Sequence, residues 1–131
     1  MAKIVLVEDD KMLAEIYQTW LQNAGHTCIV ATDGATGLAT IGREKPDLML
    51  LDLMLPFLSG DEVLMHVRKN AWGKDIKAIF LTNISEAEAP DGLDKLGFER
   101  YIVKANLKSN ELPGIVNEVL GLTPPPAPQQ A

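Results

Sequence analysis

Asp47 to Asp52 reads DLMLLD, four apolar residues in an unbroken run between two carboxylates. A half-buried strand alternates apolar and polar side chains, whereas a strand covered on both faces is apolar at successive positions. The run is therefore expected at the centre of a parallel sheet. Outward from it, four more short runs have the same character: Lys3 to Val7 (KIVLV), Thr27 to Ala31, Ile76 to Leu81 and Arg100 to Val103.

Segments of helical spacing separate these runs. Leu13, Ile16, Tyr17, Trp20 and Leu21 repeat every three or four residues, as do Leu112, Ile115, Val116, Val119 and Leu120, so each set predicts one apolar stripe on a helix. Gly25 is a natural terminator for the first, and Ser109 or Asn110 an N-cap for the last. Weaker helical segments run from Ala35 to Glu44 and from Asp61 to Ala71. Pro90-Asp91-Gly92 interrupts the place of the fourth helix, which is expected to start near Ala89 and be short, or to be irregular. The alternation predicts an α/β fold: a five-stranded parallel sheet, doubly wound, with helices on both faces and right-handed connections. Residues 1–122 form one domain on this reading. TPPPAPQQA, residues 123–131, lacks the side chains for a core and reads as a disordered Pro-rich tail or a truncated linker.

At 131 residues, the chain has room for one hydrophobic core. A net charge of −6 argues against direct nucleic-acid binding, which relies on Lys and Arg. Cys28 is the only cysteine, so an internal disulfide is excluded, and its apolar neighbours make it a core residue. No stretch is long and apolar enough for a signal peptide or a membrane span, and a cytoplasmic location is expected. His26 and His66 read as surface residues, Tyr17 and Trp20 as core packing, and Glu86-Ala87-Glu88 as the solvated start of a helix.

In an open parallel sheet, ligands bind beyond the carboxyl ends of the strands. The first run is followed there by Glu8, Asp9 and Asp10, the third by Asp52, the fourth by Thr82 and Asn83, and the fifth by Lys104. Singly, each has a plain structural role: Asp9 or Asp10 as a helix cap, Asp52 in a turn, Thr82 as a cap, Lys104 as a solvated charge. Together they put several carboxylates in one pocket, where mutual repulsion calls for a cation. A hard divalent ion with oxygen ligands, such as Mg2+, suits carboxylates, waters and a phosphate. Lys104 and Thr82 could then bond the oxygens of a phosphoryl group carried by Asp52.

Glu8-Asp9 after KIVLV, Asp52 in LMLLDLMLP followed by Gly60, Thr82 in IFLTN and Lys104 in YIVKA resemble the receiver domains of two-component response regulators. The resemblance runs from about Lys3 to Leu122 and implies a flavodoxin-like (βα)5 fold. It implies that Asp52 accepts a phosphoryl group from a sensor histidine kinase, and that Glu8, Asp9, Asp52 and the backbone carbonyl of Met54 hold Mg2+. Lys104 would bond the phosphoryl group, Thr82 would turn toward it, and Tyr101 would act as the switch aromatic. Asp10 lies one place beyond the usual pair and is assigned to the first turn of its helix. The output would pass through the fourth helix, fifth strand and fifth helix to an unspecified downstream protein or effector domain. Phosphorylation-dependent dimerisation fits the same family. The chain would not be an enzyme beyond its own phosphoryl transfer and dephosphorylation.

Three departures from the family pattern stand out. Ala105 replaces the usual proline after the Lys, so a trans Lys104–Ala105 bond is expected. Asn83 replaces a small residue, and the Pro90 break alters the fourth helix. Met54 and Ile84, placed by the resemblance at the pocket mouth, cannot orient a hydrolytic water and predict slow dephosphorylation. Two other functions compete. An aspartyl-phosphate phosphatase would want a second carboxylate where Met54 stands. A receiver-like binding module without phosphorylation would usually lack the Asp or the Lys, and both are present here.

Overall fold

Branched and bulky apolar side chains favour extended backbone when both faces can be covered, and all five expected runs are strands. In the computed structural model, which describes residues 1–122, β1 is Lys3–Val7, β2 Thr27–Ala31, β3 Leu48–Leu51, β4 Lys77–Thr82 and β5 Arg100–Val103. They pair in parallel in the order β2-β1-β3-β4-β5. β3 starts one residue later than the sequence suggests because Asp47 turns out of the run and accepts the Lys3 N–H on its side chain at 2.8 Å. β4 is likewise shifted by one and ends on Thr82. Residues 123–131, read as a Pro-rich tail, lie outside the described residues.

The helices are α1 (Lys11–Asn23), α2 (Gly34–Glu44), α3 (Gly60–Arg68) and α4 (Leu112–Leu120). Successive strand residues point to opposite layers. Ile4, Leu6, Leu48, Leu50 and Ile79 pack under α1 and α4, while Val5, Val7, Met49, Leu51 and Phe80 pack under α2 and α3. Both layers are thus fed by the same strands. The four β3 side chains are fully buried and stabilise by roughly 1.5–3 kcal/mol each, enough to hold Asp52 in a buried place it would not take unaided.

The irregular form expected as one alternative between β4 and β5 is found, while several other expectations are corrected. Among the described residues no α-helix joins β4 to β5; the connection is two 3-10 turns, Glu86–Glu88 and Leu93–Leu96. Pro90 lacks a backbone donor, and Gly92 has a left-handed φ of 80°, so helical bonding cannot run through. Among the described residues the fold therefore has five strands but four α-helices. α3 ends at Arg68 rather than near Ala71, followed by a 3-10 turn at Ala71–Gly73. The buried stripe of α1 is Ala14, Tyr17 and Leu21, whereas Ile16 is exposed and Trp20 half-buried.

α4 takes Glu111, not Ser109 or Asn110, at its N-cap, because Asn110 is left-handed (φ 61°) and Pro113 sits in the first turn. His26 is buried rather than on the surface: Nδ1 accepts the Ala2 N–H at 3.1 Å, and Nε2 stands 2.9 Å from Asn117 Oδ1 of α4. His66 is half-buried near the end of α3. Cys28 is a core residue as expected.

Candidate functional site

The carboxyl ends of β1, β3, β4 and β5 open into one cleft lined by Glu8, Asp9, Asp52, Met54, Thr82 and Lys104, with Asp10, Leu13 and Asn83 at its margin. Strand register brings them together. Val7 pairs with Leu51, so Glu8 and Asp52 leave the sheet side by side, and the Asp52 N–H donates to Val7 O at 3.2 Å. Thr82 and Val103 pair likewise, which puts Lys104 next to the end of β4.

Asp52 is 6% exposed, and its two oxygens have different partners: Oδ1 accepts the Met54 N–H at 3.1 Å, and Oδ2 accepts from Lys104 Nζ at 2.6 Å. Lys104 Nζ also stands 2.5 Å from Glu8 Oε1. The other Glu8 oxygen accepts the Asp10 N–H at 3.1 Å. Asp10 itself caps α1, its Oδ1 accepting from the Met12 and Leu13 N–H groups, so it is the N-cap rather than a first-turn residue.

Burial pushes the Glu8 carboxyl above its ordinary value, against the opposing pull of Lys104. For Lys104, burial alone would favour the neutral amine, but the Asp52 and Glu8 carboxylates outweigh it and raise the ammonium's pKa. The amine is therefore a cation whenever the carboxylates are anions.

Carboxylate oxygens of Glu8, Asp9 and Asp52 lie within 4.8 Å of one another, with Asp9 exposed and the other two buried. Three carboxylates against one ammonium leave two negative charges in the cleft. An all-oxygen donor set and that charge balance fit a hard divalent cation. Met54 lines the same cleft and is 66% exposed.

Thr82 is fully buried at the cleft wall, its Oγ1 accepting the Ile84 N–H at 3.4 Å. Ile84 is not at the mouth: its side chain is half-buried against the α2 and α3 core layer. Tyr101 is half-buried, with its ring in a cluster with Phe80 and Phe98, and its hydroxyl donates to Ile84 O at 2.7 Å. Thr82, Ile84 and Tyr101 thus form one chain of contacts leading away from the cleft. The described backbone contains no cis peptide bond, so the Lys104–Ala105 bond is trans as expected.

Two features escaped the sequence reading. Tyr17, assigned to packing alone, is buried, and the charges of Lys104, Glu8 and Asp52 all act on its phenol, whose pKa burial raises. Gly60 passes so close beneath Asp52 that a Cβ there would fall 2.1 Å from the Asp52 carbonyl oxygen. Gly60 was noted in the motif, but its steric reason appears only in three dimensions.

A doubly wound parallel sheet thus delivers a buried, lysine-paired aspartate from its central strand into an acidic cleft. The profile described as "Response regulator receiver domain" matches residues 4–117. The probable transcriptional regulator ycf27 of Porphyridium aerugineum is 36% identical over 119 residues, covering 90% of this chain and 48% of that regulator. The chain spans about half the length of the regulators it matches in this way. The receiver domain of sensor histidine kinase PA1611 from Pseudomonas aeruginosa PAO1, solved with magnesium in its active-site cleft, is 25% identical with a TM-score of 0.82, covering 92% of this chain and 98% of that one. The Mn(2+)-bound response regulator Rcp1 is 28% identical with a TM-score of 0.79, covering 95% and 99%. This chain belongs to the response regulator receiver domain family.

Proposed function

We propose that the domain is a phosphoacceptor switch in which Asp52 takes a phosphoryl group from a phosphohistidine of a sensor histidine kinase, or from a small acyl phosphate. The observation that carries this is the state of Asp52: a buried carboxylate oriented through both oxygens by the Met54 N–H and the Lys104 ammonium, and facing a cleft. A carboxylate so held needs no search to reach an attacking geometry. From phosphohistidine, attack forms an O–P bond and breaks the donor's N–P bond, and the imidazole leaves with a proton from water; from an acyl phosphate the bond broken is the donor's O–P bond and a carboxylate leaves. Lys104 can remain with the phosphoryl oxygens after transfer and offset their added charge.

Glu8, Asp9, Asp52 and the carbonyl of Met54 would hold Mg2+. The magnesium neutralises charge on the transferring group when bound. Related receiver structures with magnesium or manganese support this assignment.

The readout we propose runs from Thr82 through Ile84 to Tyr101, since Thr82 is the hydroxyl in the cleft wall and the other two follow it by hydrogen bonds. It biases an equilibrium between two conformations and so changes what the β5 and α4 side binds, by protein contact and in the cytoplasm. Phosphorylation-dependent dimerisation belongs to the same reading. The domain turns over no external substrate.

Intact mass after incubation with acetyl phosphate and magnesium tests the proposal. A stable magnesium-dependent gain of one phosphoryl group, lost in Asp52→Asn, is expected. No gain would make the domain a binding module, and repeated turnover of phosphomonoesters would make it a phosphatase.

A further inference from the structure

The connection between β4 and β5 lies where a helix would normally lean on α3, but it is too irregular to fill that place. It is nonetheless held in position. Tyr101 anchors its start through the Ile84 carbonyl. Arg68, near the end of α3, anchors its far end: Nε donates to Leu96 O at 2.9 Å and Nη2 to Gly97 O at 2.6 Å, while Nη1 donates to Gly73 O and Ile76 O at 2.6 and 2.7 Å. A guanidinium with four carbonyl acceptors cross-links α3, the turn after it and the β4–β5 connection. Leu93 is buried against the core between these anchors.

A groove remains between the connection and α3. Its apolar lining is Met65, Pro90, Leu93 and Leu96, and its rim carries Asp61 and Asp91. Met65 is 39% exposed, on a side chain that adapts readily to an incoming surface. Glu86, Glu88 and Asp94 are exposed on the same connection, and neither Lys nor Arg lines the groove. The nearby cations Arg68 and Lys95 line a different cleft, beyond Leu96. An apolar floor under a rim of one sign discriminates by charge: acidic segments are repelled and basic ones are steered in.

We infer that this groove docks a basic amphipathic segment of a partner protein, with its apolar side on Met65 and Leu96 and its Lys or Arg residues against Asp61 and Asp91. Such a segment lying in a pre-formed groove is a common mode of peptide recognition. The groove exists because the fourth helix of the fold does not form here, and the inference stands whether or not Asp52 is phosphorylated.

The test is an NMR titration of the 15N-labelled chain with a synthetic Leu/Lys amphipathic peptide and with its Leu/Glu counterpart. Saturable amide shifts at Asp61, Met65, Asp91, Leu93 and Leu96 are expected with the basic peptide alone, weakening as salt is raised. Asp91→Lys should weaken binding roughly tenfold, whereas Glu15→Lys, the same charge change on exposed α1, should have less than about a twofold effect. Shifts centred on the Glu8 and Asp9 cleft or on α1 would overturn the inference. So would equal weakening by both substitutions, which would mean bulk attraction to a net acidic protein, or an equal response to the acidic peptide.

Discussion

Lys104 Nζ lies between two buried carboxylates, 2.6 Å from Asp52 Oδ2 and 2.5 Å from Glu8 Oε1, and the Lys104 side chain is only 7% exposed. One ammonium therefore balances charge that would otherwise keep the ends of β1 and β3 apart. Lys104→Met should leave the carboxylates uncompensated and cost about 3 kcal/mol of stability in EDTA. Divalent cations should restore part of that loss and bind more tightly than to the parent protein. Urea unfolding at neutral pH with and without magnesium checks both.

Gly60 and Gly114 should respond oppositely to alanine. At Gly60 the added Cβ meets backbone, the Asp52 carbonyl, which cannot rotate away. Gly60→Ala should destabilise by roughly 2–3 kcal/mol, as overpacking does, and reduce phosphoryl uptake. Nothing lies within 4 Å of a Cβ at Gly114, which is exposed in the first half of α4. Gly114→Ala should stabilise by about 0.5–1 kcal/mol through helix propensity. Denaturation midpoints of the two variants read the contrast directly.

Tyr101→Phe keeps the aromatic cluster and removes only the hydroxyl that donates to Ile84 O. A loss of about 1 kcal/mol is expected, with faster amide exchange in Glu86–Glu88. Phosphoryl uptake at Asp52 should be unchanged, since the hydroxyl bonds the connection and not the cleft. Hydrogen exchange together with intact mass separates these outcomes.

Burial pushes the Cys28 thiol up to about 12. The folded state therefore holds the thiol proton more tightly than the unfolded state, whose cysteine titrates near 8.5. The associated stability is fully present below that value and is lost as pH rises toward 12. Cys28→Ala should flatten the stability profile in this alkaline window. Native protein should resist thiol alkylation at pH 8 and react only on unfolding.

Met54 is 66% exposed at the cleft and offers no group that could orient water. On the phosphoacceptor reading, Met54→Asn should shorten the phosphoryl half-life several-fold. Ile84→Glu should do less than its position beside Thr82 suggests, because Ile84 packs on the core layer rather than in the cleft. Decay of the phosphorylated mass after removal of acetyl phosphate measures each.

What could be read directly from residue order was considerable. Unbroken apolar runs can be satisfied only between two covered faces, so the strands, their parallel sheet and the edge carrying Glu8, Asp9, Asp52, Thr82 and Lys104 follow from local pattern. Helix ends were less legible. Asp10 and Glu111 are caps because of backbone conformations that neighbours impose, and several residues nearby had equal propensity.

The sequence by itself determined the sheet and the membership of the cleft, because strand periodicity and strand-end chemistry are local properties. Only the tertiary structure decided that Lys104 bridges two buried carboxylates, that Gly60 must lack a Cβ, and that His26 is buried against Asn117. It also decided the form of the β4–β5 connection. Pro90 showed that a regular helix would fail there, but the groove that replaces it depends on Arg68 reaching carbonyls from three other segments, a pairing across sequence distance that no local pattern encodes.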